Sequence, residues 1–126
     1  MSDRRIRITA ESVSAEARLN DSRSAAAIWD ALPLAAAAET WGDEIYFDIG
    51  LALAAESPKA VVELGDLGYW PPGRALCIFF GPTPASQRDE IRPASPVTVV
   101  GSLVGDPRLF TKVHAGTTIR LERGSA

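Results

Sequence analysis

The sequence predicts a mainly β domain of antiparallel strands, on three observations. Apolar and polar residues alternate at period two in several separate stretches, as in strands with one buried face. Glycines and prolines, 10 and 9 in number, punctuate these stretches at short intervals. Residues 75–80 are apolar on both faces, as expected of a strand covered on two sides at the centre of a closed barrel or sandwich.

The elements follow in order. Ile6 and Ile8 alternate with Arg5, Arg7 and Thr9, and Val13, Ala15, Ala17 and Leu19 with Ser14, Glu16 and Arg18, so two strands pair as a hairpin across residues 10–12. Asn20, Asp21 and Ser22 make a turn. Residues 24–32 put Ile28 and Leu32 on one helical stripe, with Ser24 as cap and Pro33 as stop. Residues 34–40 are alanine-rich, which favours helix, but the segment is short between Pro33 and Gly42 and suits a strand or extended linker. Ile45, Phe47 and Ile49 share one strand face, with Glu44, Tyr46 and Asp48 on the other. Residues 60–64 are β-rich, Gly65, Asp66 and Gly68 form a turn, and Pro72-Gly73 suits the centre of a type II turn. Residues 97–104 resume an extended pattern with a bulge at Gly101, and residues 106–113 have room for one helical turn. In the last strand Thr117, Ile119 and Leu121 alternate with Thr118, Arg120 and Glu122.

A length of 126 residues corresponds to one domain, 1–126. The hydrophobic fraction is 46%, but much of it is alanine, so the core is modest. A net charge of −3 gives no electrostatic footprint for nucleic acid or an anionic membrane, so neither is expected as a partner. The polar, basic start lacks a signal-peptide core, and no apolar run approaches the ~18 residues of a membrane span, so a cytoplasmic location is expected. The lone Cys77 and lone His114 provide neither a disulfide nor a multi-histidine metal site, and no cofactor or metal is expected. Neither glycine-containing loop carries a phosphate-binding lysine or opens a helix.

Three stretches go beyond pattern: residues 40–47 (TWGDEIYF), residues 62–81 (VELGDLGYWPPGRALCIFFG) with Thr83-Pro84, and residues 91–95 (IRPAS) with residues 99–101 (VVG). They closely resemble a small prokaryotic cyclophilin-like family of unknown function, over essentially residues 5–123. The resemblance implies a closed eight-stranded cyclophilin-like β-barrel with one or two short helices. It implies no activity. Cyclophilins that isomerise prolyl bonds carry an arginine in a Phe-His-Arg context, a Gln-Phe-Phe segment and a late Trp and His, and this chain has no recognisable counterpart of these.

Most of the aromatic residues fall between positions 41 and 80. Phe47 and one of Phe79 and Phe80 belong to the core. Trp41, Tyr46, Tyr69 and Trp70 lie at strand ends or beside turns and carry polar tips, so they form either a ligand platform or lids over the barrel end. Glu44, Glu63 and Asp66 are near them in sequence and either face solvent or serve as acid, base or ligand contact. Arg92 suits a carboxylate clamp or a surface ion pair. Cys77, inside the most apolar strand, is expected to be an inert core thiol. The expected site is therefore Trp41, Glu44, Tyr46, Glu63, Tyr69, Trp70 and Arg92, converging at one barrel opening.

The leading reading is a non-catalytic module that binds a small molecule or extended peptide in an aromatic groove. The alternatives are a divergent prolyl isomerase, a carboxylate-based enzyme using Glu44, Glu63 and Asp66 with Tyr46 or Tyr69, or an accessory subunit of an amide-hydrolysing complex.

Overall fold

A computed structural model describes residues 4–124. The strands are β1 (Arg4–Ala10), β2 (Val13–Leu19), β3 (Leu34–Ala37), β4 (Glu39–Thr40), β5 (Glu44–Asp48), β6 (Asp66–Trp70), β7 (Ala75–Phe79), β8 (Thr98–Val104) and β9 (Thr118–Arg123), with an α-helix, α1 (Arg23–Ala31), and 3-10 helices at Pro71–Gly73 and Pro107–Lys112. All strand pairings are antiparallel, in the order β3-β9-β1-β2-β8-β6-β7-β5-β4.

The two ends of that order, β3 and β4, are one extended segment broken only at Ala38. Its first half pairs with β9 and its second with β5, so the same segment joins both edges and nearly closes the barrel. Ala38 still bonds its surroundings, donating to the Thr117 carbonyl at 2.8 Å and accepting from the Gly116 amide at 2.7 Å. Counted as one strand, it turns nine pairing segments into the eight implied by the family resemblance. Closure leaves little free edge for another chain to pair with.

Strand alternation sorts the core. Ile6, Ile8, Ala17, Ile45, Phe47, Leu67, Tyr69, Leu76, Ile78, Ile119 and Leu121 fill the interior, joined by Ala25 and Ile28 of α1. A second, smaller cluster of Val62, Cys77, Phe79, Ile91 and Val97 lies on the opposite face of β6 and β7. β7 is buried throughout because the interior takes Leu76 and Ile78 while a folded-over loop covers Cys77 and Phe79. Full burial of one such Phe contributes about 1.5–3 kcal/mol of transfer free energy.

Several expectations need correction. The cap of α1 is Ser22, whose Oγ accepts from the Ala25 amide, while Ser24 is buried and donates its hydroxyl to Glu56. Residues 60–64 contain only a bridge, Val62 to Ile91, because Val62 alone is buried there and Val61 and Leu64 face solvent. The strand is instead β6, beginning at Asp66, and Gly68 lies inside it: a Cβ there would come within 2.8 Å of Val97 Cγ2, so side-chain absence admits the second cluster. Pro71–Gly73 is a 3-10 turn in which Arg74, not Gly73, takes the left-handed conformation, at φ 48°. Gly73 is needed for contact, since a Cβ would meet the Trp70 ring at 2.8 Å. The bulge expected at Gly101 falls one residue earlier: Gly101 pairs with Leu67 and Val99 with Gly68, so the register skips Val100.

Candidate functional site

The second cluster shapes a groove on the outer wall of the barrel. In β5, Ile45 and Phe47 point inward, which turns Glu44 and Tyr46 outward; β7 contributes Cys77 opposite Tyr46, and β6 contributes Trp70. Trp41 stands at the turn before β5, its amide donating to the Glu44 carbonyl at 2.9 Å. Gly42 makes this turn at φ 61°, where a Cβ would also strike Pro84 at 2.7 Å. The far wall is a loop carrying Pro93, Ala94 and Val97. The groove, open on one side, has a volume of about 210 Å³.

Hydrogen bonds fix the loop. The Thr83 hydroxyl donates to the Arg92 carbonyl, Ser86 Oγ accepts from the Thr83 and Arg92 amides, and Lys59 pairs with Val97. Trp70 Nε1 donates to Ser95 Oγ at 2.7 Å, which ties the aromatic wall to the loop wall. Tyr46 and Trp70 meet edge to face, centroids 6.5 Å apart at 67°, forming a corner of the groove.

Glu44 is the charged residue lining this space, and it is 6% exposed. Burial pushes its carboxyl up to about 7, only partly offset by a hydrogen bond from Cys77. Its Oε1 has no hydrogen-bond partner among the described residues. The Cys77 thiol is raised well above its ordinary value, by burial first and then by the Glu44 charge and hydrogen bond. A thiol so placed stays protonated and is not a nucleophile.

Four of the expected residues, Trp41, Glu44, Tyr46 and Trp70, line this groove. It lies on the wall rather than at a barrel opening, because the outward residues of β5, β6 and β7 build it. Three residues lie elsewhere. Tyr69 shares the inward parity of Leu67 and is fully buried; its hydroxyl donates to the Leu51 carbonyl at 2.5 Å and accepts from the Leu53 amide at 3.0 Å. Glu63 is exposed in a turn where its amide donates to Asp66 Oδ2, and burial raises Asp66 there. Arg92 points its guanidinium at Glu90, at 2.6 and 3.1 Å, an ion pair along the loop.

Cys77 is buried in the outer cluster, as expected of a core thiol, and its parity also places it at the groove. Pro93 and Ala94 were visible only as part of the IRPAS stretch. Among the described residues no group of three His, Cys, Asp or Glu could hold a metal ion. No helix among them is long and apolar enough to cross a membrane.

A nearly closed antiparallel barrel with few helices and this strand pairing is a cyclophilin-like barrel. The chain belongs to the Cyclophilin-like family, whose model matches residues 4–122. It is similar to a hypothetical protein from Archaeoglobus fulgidus, solved in solution, with 43% identity over 97% of this chain and 95% of that one and a TM-score of 0.81. Among curated proteins none matches.

Proposed function

We propose that the chain is a binding module whose outer-wall groove receives a small molecule or one side chain of an extended peptide. The observation that carries this is the meeting of Trp41, Tyr46 and Trp70 with a buried, half-satisfied Glu44 in a single concavity. Barrel stability alone does not call for such a carboxylate, since desolvating it without a full set of partners is unfavourable. The volume, about 210 Å³, is below the ~300–1,000 Å³ of drug-sized sites, so the occupant is a group of side-chain size. The buried free thiol of Cys77 agrees with a cytoplasmic setting.

The test is a fragment titration followed by amide and indole NMR. Hits should shift the Trp41 and Trp70 indole signals together. Hits that leave both unmoved while shifting residues elsewhere would overturn the reading.

One observation favours a second reading, a carboxylate-based enzyme: Glu44 sits near 7, the range useful for a general acid or base. Glu63 and Asp66 do not line the groove, so Glu44 would act there with Tyr46.

A further inference from the structure

We propose that the groove is selective for a primary ammonium group on a short apolar stem, with Glu44 as its counter-ion and the rings of Trp41, Tyr46 and Trp70 around it. This rests on reading the groove as a binding site, and it names the chemistry of the occupant.

The charges of the lining decide the sign. Glu44 is acidic, and none of the residues lining the space is a lysine, arginine or histidine. Aromatic faces add to this, because their quadrupoles attract cations and repel anions. A carboxylate-bearing ligand would bring like charge to Glu44 with no cation to offset it.

Hydrogen bonding decides the kind of cation. Glu44 Oε1 is buried and unpartnered, and an ionised carboxylate only accepts. The Cys77 thiol is a weak donor, and Trp70 Nε1 is already committed to Ser95. A ligand must therefore bring its own hydrogen-bond donor. A quaternary ammonium has none and a neutral alkyl group has neither charge nor donor, whereas a primary ammonium supplies both. Size decides the rest: about 210 Å³ between Tyr46, Trp70, Pro93 and Val97 accepts a stem of a few methylenes, with the ammonium at Glu44 and the stem against rings and proline. Two sources carry this chemistry, a free alkylamine and the lysine side chain of an extended peptide.

The experiment, run at pH 8 so that Glu44 is mostly ionised, compares n-pentylammonium, 1-pentanol and pentanoate by calorimetry and by the indole NMR signals of Trp41 and Trp70. Pentylammonium should bind at least tenfold more tightly than pentanol, and pentanoate should bind more weakly than either. Glu44→Gln, checked for an unchanged fold by near-UV circular dichroism, should remove the preference for ammonium, so that pentylammonium binds no more tightly than pentanol. Trp70→Ala should weaken both. Pentanol binding as tightly as pentylammonium at the same indoles would overturn the ammonium assignment and leave the groove standing. No shift of either indole with any of the three probes would overturn the ammonium assignment, whereas the fragment titration decides the groove separately. A blocked Ala-Ala-Lys-Ala-Ala peptide, compared with its norleucine analogue, separates the sources: tighter binding than pentylammonium assigns the lysine side chain, and weaker binding assigns the free amine.

Discussion

Cys77 and Glu44 stand as diagonal neighbours on the outer face of the β5–β7 ladder, Cys77 opposite Tyr46 and Glu44 opposite Phe79, and each shifts the titration of the other. Burial acts on both in the same direction and keeps each neutral to higher pH than in water. The pair gives the floor a polar spot in which the thiol stays protonated.

Thiol labelling checks the first consequence. Cys77 is buried, and its thiol is held well above its ordinary value. Native protein at pH 8 should react with a disulfide reagent only on the timescale of unfolding, and denatured protein within seconds to minutes. Rapid labelling of the native state would contradict the burial.

The Glu44 carboxyl fixes a pH dependence of stability. Its value is 4.5 when unperturbed and about 7 in the fold, so between these the native state holds a proton that the unfolded chain has released. Stability is then greatest at the acid end of this window and falls as pH rises through it, by about 3 kcal/mol in all. Urea midpoints at pH 5 and pH 8 should show the fall. Glu44→Gln should remove most of it, leaving a contribution in the same direction from Asp66.

Phe79 and Phe80 fill different clusters, Phe79 the outer and Phe80 the interior. Each truncation to alanine should cost about 3–5 kcal/mol, read as lowered urea midpoints. A wild-type midpoint for Phe79→Ala would show that the outer cluster is not a packed core.

Gly68→Ala tests how closely β6 and the loop approach. The added methyl would lie 2.8 Å from Val97 Cγ2 and 3.3 Å from Phe79, so the loop must move off the wall. The expected loss is about 1–3 kcal/mol, together with faster proteolysis of residues 85–96. An unchanged midpoint and cleavage rate would place Val97 elsewhere.

Prolyl isomerase turnover is expected to stay at background in a protease-coupled assay with a proline tetrapeptide. No arginine lines the groove: Arg92 is held by Glu90, and Arg74 is exposed after its 3-10 turn. Without a donor aimed at the twisting amide, the rate has no electrostatic support. Catalysis lost on mutating Arg74 or Arg92 would reverse this expectation.

The sequence by itself determined the barrel's strands wherever burial is one-sided or complete within a strand. Ile6 to Leu19, Ile45 to Ile49, residues 75–80 and Ile119 to Leu121 carry their own periodicity, and burial follows it. Local pattern misled where a residue's role is set by what lies across from it. Gly68 looks like a turn residue, yet it lies in β6 because Val97 occupies the space of its missing side chain. Val61, Val62 and Leu64 look like a strand, yet only Val62 finds cover. The groove shows the same division. Its aromatic and acidic residues were legible as a cluster along the chain, but which of them share a face depends on the parity of each strand and the register between strands. Parity sends Tyr69 inward and Cys77 outward, and the bonds of Thr83, Ser86 and Trp70 bring residues 93–97 over the wall. Those are contacts between residues far apart in sequence, so only the tertiary structure could decide them.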